Sequence, residues 1–301
     1  MPDRSDQGPD AVVAAVVTAF HPDEGLVAVC AGVAQQVDHV VVVDDGSGTV
    51  ADDVLARVAQ AGAVVVRQPA NLGIGAALNA GIRAARAAAA PAEVDVLTLD
   101  QDSAVPPGYV AALRGAAARA ARAGRPVGMV GPGQATGVRA AAASPAGAVV
   151  ESREPIQSGL LLPHDAVRAL GDFAEDLFID GVDTEYWLRA RAAGRVAVAV
   201  PGTELAHRLG RQHEVTVGGR VLGIGHAATF RYYYIARNRV ALVRRYGRRE
   251  PGWAAAALVR DLRHLLIVTV LVPGRRARLV ETVAGLRDGL RGRSGRRPDR
   301  R

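Results

Sequence analysis

Lysine is absent from the 301-residue chain, so all 37 basic residues are arginine and every permanent cation is a guanidinium. One cysteine, Cys30, excludes an internal disulfide. No apolar run approaches the roughly 20 residues that a membrane-spanning helix requires. The nearest is "LLIVTVLVP" at residues 265–273, which predicts a buried helix. The amino-terminal "MPDRSDQGPD" lacks the apolar core of a signal peptide, which leads to the expectation of a cytoplasmic protein.

What is present suits a folded enzyme. The chain is 49% hydrophobic with frequent Gly and Pro, enough for one large domain or two modest ones. The net charge of +7 hides a polarity along the chain. Residues 1–207 hold 15 Arg against 24 Asp and Glu, giving −9; residues 208–274 hold 12 against 3, giving +9; residues 275–301 hold 10 against 3, giving +7. The acidic front half suits cation binding, and the basic back half suits anionic partners such as phosphate, nucleic acid or acidic lipid. The 265–273 run lies between Arg263 and the Arg275/Arg276 pair and precedes "RLVETVAGLRDGLRGRSGRRPDRR". That pattern fits a basic amphipathic helix making peripheral contact with the inner face of the plasma membrane, and equally a core helix with a solubilising tail.

From residue 11, short Val-rich runs alternate with Ala-rich stretches. "AVVAAVVTAF", "HVVVVDDGS", "AVVVRQ" and "VDVLTLDQD" read as buried strands, with helices near 24–36, 50–61, 74–90 and 107–123 between them. This is the pattern of parallel βαβ units, a sheet covered on both faces, and such sheets bind ligands at the carboxyl ends of their strands. The polar residues gather there: Thr18, Phe20 and His21 after the first strand, Asp44, Asp45, Gly46 and Ser47 after the second, Asp100 and Asp102 after the fourth. Asp-Gly and Asp-Ser are also ordinary turn formers, so "DDGS" alone decides nothing.

Asp100 and Asp102, one residue apart at a strand exit, would repel one another unless a divalent cation lay between them. Mg²⁺ or Mn²⁺ suits such a site, taking one or two carboxylates and completing its shell with water and substrate phosphate. "NLGIGAALNAGIRAA", residues 71–85, strengthens this reading. Gly73 and Gly75 permit close approach of a ligand, and Asn71 and Asn79 stand near a helix start whose N–H groups favour phosphate. The same small residues also let a helix pack tightly on a sheet.

Taken in order, "VVTAFHP", "VVVVDDGS", "NLGIGAALNAGI", "LTLDQDS", "IQSGLLL" and "LFIDGVDTEYWLRARAAG" resemble inverting family 2 glycosyltransferases, and within them bacterial rhamnosyltransferases, from about residue 11 to 246. The resemblance implies an α/β GT-A fold, a Rossmann-like and mainly parallel sheet with helices on both faces, followed by a C-terminal helical segment. The boundaries it suggests are a disordered N-terminus over 1–10, a nucleotide-sugar-binding and catalytic domain over 11–210, a flexible loop or lid over 211–225, helices over 226–291 and a disordered basic tail over 292–301.

It further implies that Thr18, Phe20, Asp44 and Asp45 meet the donor's base and ribose, that Asn71, Gly73 and Asn79 line the sugar-diphosphate pocket, and that Asp100 sits near the ribose. Asp102 would be the main carboxylate on the metal, joined by His207, and Asp183 the catalytic base. Trp187, Glu185, Arg231 and Arg237 would meet the acceptor. Two departures from the family pattern stand out: Val182 replaces an acid, as in the rhamnosyl branch, and Gly181 replaces an aromatic residue.

The expected partners are a nucleotide-sugar donor, dTDP-rhamnose or a UDP-sugar, and a lipid-linked glycan acceptor, with no nucleic acid. Two rival readings are a sugar-phosphate nucleotidyltransferase and a catalytically inactive module that binds membrane or polyanion. The first would carry a Gly-rich basic loop at the first strand, which "VVTAFHP" does not have.

Overall fold

The computed structural model describes residues 11–135, 138–139, 150–206, 211–217 and 220–298. The chain divides into two compact units: residues 1–175 with 182–208, and residues 176–181 with 209–301. The six residues Asp176–Gly181, within the expected 11–210 domain, belong with the carboxy-terminal part. The 1–10 segment, His207 and the last three residues lie outside the described residues.

The first unit opens with β1 (Val12–Ala19), α1 (Gly25–Ala34), β2 (His39–Asp44), α2 (Asp52–Gln60), β3 (Val64–Arg67), α3 (Ile74–Ala89), β4 (Val94–Asp100) and α4 (Tyr109–Arg122). It continues through β5 (Val127–Ala135), β6 (Val138–Arg139), β7 (Val150–Glu151), β8 (Leu160–Leu162), α5 (His164–Leu170), α6 (Val182–Ala192) and β9 (Val196–Leu205). The sheet runs β3-β2-β1-β4-β8-β5-β9-β7, with β6 paired to β5. Strands β3, β2, β1 and β4 are parallel; β8 inserts antiparallel between β4 and β5, and β9 runs parallel to β5.

The continuous apolar character of β1 follows from burial on both faces. Val13, Ala15 and Val17 pack with Leu26, Leu55 and Leu113 of α1, α2 and α4. The alternate residue Val16 faces α3 instead, together with Val43, and Gly81 makes that approach possible, since a side chain there would occupy the same space as Val16. Cys30 is buried in the first of these layers, and burial pushes its thiol pKa up to about 11, so it stays protonated and inert at neutral pH.

The second unit holds β10 (Arg211–Val217) and β11 (Arg220–His226), then α7 (Arg231–Tyr246), α8 (Pro251–Leu271) and α9 (Arg275–Leu290). Where the sequence left a lid or a hairpin open, β10 and β11 pair as an antiparallel ribbon from Arg211↔His226 to Val217↔Arg220. Residues 292–298 depart from the expected disordered tail. The Gly295 N–H donates to Asp176 O at 2.6 Å, the Arg297 N–H donates to the Tyr234 hydroxyl at 2.9 Å, and the Arg297 guanidinium lies 4.1 Å from the Tyr233 ring centre. The aromatic residues of α7 give Arg297 partners that a linear reading of the tail does not reveal.

Candidate active site at the carboxyl edge of the sheet

The chain winds from β1 to β2 to β3 in one direction and then returns to place β4 on the other side of β1. Strand order reverses at β1, and the crevice at such a reversal is where open α/β sheets bind ligands. The registers Thr18↔Asp100 and Ala19↔Asp44 bring the ends of all three strands level. The Thr18 hydroxyl lies 3.5 Å from Asp100 Oδ1 and 3.4 Å from the Leu99 carbonyl. Beside it, the Phe20 N–H donates to Gln101 Oε1 at 2.8 Å, and the Phe20 ring stands exposed on the rim, 4.0 Å from that of His21. His21 has a φ of 48°, a left-handed conformation that its N–H stabilises by donating to Ser47 Oγ at 2.7 Å.

The two acids of "DDGS" have different work. Asp44 is 1% exposed, and its Oδ1 accepts the Ser47 N–H at 3.2 Å and the Ser47 hydroxyl, while Arg67 Nε lies 3.5 Å from Oδ2. Asp44 therefore closes the turn, and its expected contact with the donor nucleotide is corrected on that account. Asp45 reaches across to the glycine-rich loop, Oδ1 accepting the Leu72 N–H at 2.8 Å and Oδ2 the Gly73 N–H at 2.9 Å. Gly46, with φ of 79°, lets the loop lie against the turn; a Cβ there would fall on the Ala70 and Asn71 backbone. Gly73, with φ of 95°, then starts α3. A carboxylate so fixed holds the Leu72–Gly73 backbone beside the carboxyl end of β2.

These strand ends and the loop lie within residues 15–125, which match the family model described as "Glycosyl transferase family 2". Over this stretch the chain is similar to family 2 glycosyltransferases. It is 27% identical over 149 residues to the dTDP-rhamnosyl transferase RfbF of Shigella flexneri, a match covering 48% of this chain and 48% of that one. The chain thus matches about half the length of this curated relative. A solved structure, that of 4-diphosphocytidyl-2C-methyl-D-erythritol synthase, aligns with 64% of this chain and 89% of its own at 16% identity, with a TM-score of 0.36. That score is too low for a site-by-site comparison.

Asp100 closes β4, and its N–H is hydrogen-bonded to Ser158 Oγ at 3.0 Å. Ser158 in turn donates to Ser103 Oγ at 2.7 Å, and Thr98 donates to the Gln157 carbonyl at 2.6 Å. Gln157 and Ser158, from "IQSGLLL", thus buttress the strand that bears the Asp-x-Asp pair, a function that sequence spacing alone does not reveal. Asp102 lies in the turn that follows, and two residues later the Ala104 N–H donates to the Ala206 carbonyl at 3.0 Å. Ala206 immediately precedes His207 in the chain. Among the described residues no three His, Cys, Asp or Glu side chains gather as a metal cage. A pair of hard carboxylates at the crevice is nonetheless the donor set that Mg²⁺ or Mn²⁺ accepts when substrate oxygens supply the remainder.

Several expected site residues prove to be internal. The Asn79 amide donates to the Phe173 carbonyl at 3.0 Å and Glu175 Oε1 at 2.8 Å and accepts the Phe173 N–H at 2.8 Å, so it ties α3 to that segment instead of lining a pocket. Trp187 is 3% exposed with the Arg191 guanidinium 5.2 Å from its ring centre, which removes it from stacking on an acceptor sugar. Tyr186 stacks on Phe173 at 4.3 Å, and burial pushes its hydroxyl pKa up to about 12. Glu185 is buried with Arg189 at 2.7 Å and does not reach an acceptor.

Asp183, in the first turn of α6, accepts the Thr184 N–H at 2.7 Å through Oδ1 and remains only partly buried.

In the second unit, Arg237 is 2% exposed and donates to the Leu177 and Gly295 carbonyls, with Asn238 Oδ1 at 2.9 Å from its Nε. It is a framework residue, and its expected acceptor contact is corrected. Arg231 grips Asp180 with Nη2 at 2.6 Å and Nε at 3.1 Å. Asn238 Nδ2 donates to the carbonyls of Leu177, Ile179 and Asp180 at 2.7–2.9 Å. These bonds hold a segment in which Phe178 and Asp180 have φ of 65° and 64°. Each such left-handed residue costs on the order of 1–3 kcal/mol, so the segment depends on its clamp.

Proposed function

We propose that the protein transfers a deoxysugar, L-rhamnose in the first instance, from a nucleotide-diphosphate donor to a hydroxyl of a lipid-linked or cell-surface glycan, with inversion. What supports this reading is the placement of Thr18, Asp45 and Asp100 at the carboxyl ends of three neighbouring strands, where strand order reverses, in the stretch similar to family 2 glycosyltransferases. The rhamnosyl relative supports the choice of sugar. Thr18, Phe20, Asn71 and the Asp45-held Leu72–Gly73 backbone would bind the nucleotide and diphosphate. Asp100 and Asp102, with His207, would hold Mg²⁺ or Mn²⁺. When bound, that cation would neutralise charge on the departing diphosphate.

Asp183 is the proposed general base, taking the acceptor hydroxyl proton as that oxygen attacks the anomeric carbon and the donor's carbon–oxygen bond to diphosphate breaks. A single displacement of this kind inverts the anomeric configuration and leaves a nucleoside diphosphate. The decisive assay incubates the purified chain with dTDP-rhamnose or UDP-hexoses and Mn²⁺, with and without EDTA. Metal-dependent release of nucleoside diphosphate is the expected result. Formation of pyrophosphate would point to nucleotidyl transfer, and no release from any donor would overturn the reading.

A further inference from the structure

The outward side of the last two long helices is apolar. In α8, Leu258, Leu262, Leu266 and Val270 are spaced four apart and each is more than half exposed, with Val259 beside them. At 100° per residue they form one flank, away from the buried Trp253, Ala257 and Val268. In α9, Val280, Val283, Leu286 and Leu290 are likewise exposed, while Gly285 and Gly289 pack on the Tyr233 and Arg237 backbone of α7. The Arg278 guanidinium fixes the corner between the helices, donating to the Val268 and Pro273 carbonyls at 2.6 Å and to Val272 O, all at or just beyond the end of α8. Single exposed leucines are ordinary, but ordered rows on consecutive helices mark an interaction surface.

Charge identifies the occupant. The acids of α8 and α9 are engaged within the unit: Asp261 with Arg239 at 2.6 Å, Glu281 with Arg297, and Asp288 with the Tyr233 hydroxyl at 3.0 Å and Arg293 at 3.3 Å. Among the apolar rows stand the exposed Arg260, Arg263, Arg275, Arg276 and Arg287, the last also 3.4 Å from Asp288. A symmetric pairing of two copies would set these arginines against their own equivalents with no exposed acid of the two helices between them. No described helix is long and apolar enough to cross a membrane.

We propose that α8 and α9 form a docking surface for an anionic lipid bilayer, the leucines entering the headgroup–acyl boundary and the arginines pairing with lipid phosphates. This inference stands apart from the transfer reading, because it is tested without donor or acceptor.

The test is flotation of the full chain with vesicles of phosphatidylcholine alone or mixed with phosphatidylglycerol. Binding is expected only to the anionic vesicles and is expected to weaken with salt. Leu262→Asp/Leu266→Asp and Arg263→Glu/Arg276→Glu should each reduce it about tenfold or more, as loss of two inserted side chains or two basic contacts implies. Because all four side chains point outward, thermal melting should stay unchanged; if the aspartate variant melts early, the glutamate variant decides. Failure of the parent chain to bind anionic vesicles, equal binding to neutral ones, or undiminished binding by the glutamate variant would overturn the proposal. A solution dimer that the aspartate variant splits, without vesicle binding, would assign the face to a second copy.

Discussion

The carboxylate of Asp45 meets the backbone N–H of Gly73 at 2.9 Å, across 28 residues of chain. The turn after β2 and the loop before α3 are thereby built as one piece, and the loop's conformation depends on a charge two strands' width from the metal-binding pair proposed above. Asp45→Ala leaves the Leu72 and Gly73 N–H groups without this acceptor, at a cost of about 1–3 kcal/mol each at most if water cannot replace it. Lower melting together with weaker donor binding is expected, read by calorimetry and by titration with nucleoside diphosphate. Asp45→Asn, which retains one acceptor oxygen, should fall between the two.

Gly46→Ala tests the same joint from the backbone side. The left-handed φ alone costs on the order of 1–3 kcal/mol for a non-glycine residue, and the added methyl also meets the Ala70 backbone, which cannot rotate away. Strong destabilisation or insoluble expression is the expected outcome. A variant with unchanged melting would mean that the turn has another conformation.

Asp102→Asn should weaken Mn²⁺ and donor binding together, since the neutral amide is a poorer ligand for a hard cation. Isothermal titration with Mn²⁺ and nucleoside diphosphate, separately and combined, checks this. Full donor affinity in the variant would remove Asp102 from the metal.

Asp183→Asn should retain donor binding while turnover falls about 10²- to 10⁴-fold, the usual contribution of a positioned base. Single-turnover rates separate the two effects. Undiminished turnover would send the search to Asp180, although its carboxylate is gripped by Arg231.

Acid should weaken the second unit in two stages. Burial lowers the His264 pKa below 6.5, with nearby His226 and Arg278 adding to this against Asp261. The unfolded chain then binds more protons between that lowered value and 6.5, so stability falls as pH drops through this window. For Asp288, burial opposes ionisation, but the Tyr233 hydrogen bond and the nearby Arg293 and Arg287 outweigh it, holding its pKa below 3.8. Its contribution is present above 3.8 and lost as pH falls through the lowered value. Melting temperature against pH should fall over the first window in the parent chain and flatten there in His264→Gln.

The first half of the fold was legible because burial on both faces writes a continuous apolar run. The helices expected near 74–90 and 107–123 are α3 and α4, within two residues at each end. Beyond residue 125 the signal fails for physical reasons. β8 is three residues long and pairs antiparallel with a strand about 60 residues earlier, which no local period can express. α6 buries seven of its eleven residues, so Trp187 and Glu185 have no polar face to set them apart from groups that meet a ligand. Arg237 reads as a surface cation because sequence does not show the carbonyls that surround it. At the rim, residue types at strand exits marked a candidate site, but only coordinates distinguish Asp44, a turn anchor, from Asp45, a loop clasp.

The excursion of Asp176–Gly181 into the second unit has a practical meaning for anyone dissecting this protein. A gene cut at residue 208 would leave the carbonyls of Leu177, Ile179 and Asp180 without Asn238 and strand Phe178 away from the Tyr234 ring 5.0 Å from it. The two halves are interleaved in sequence, so neither can be exchanged, fused or expressed as a simple cassette.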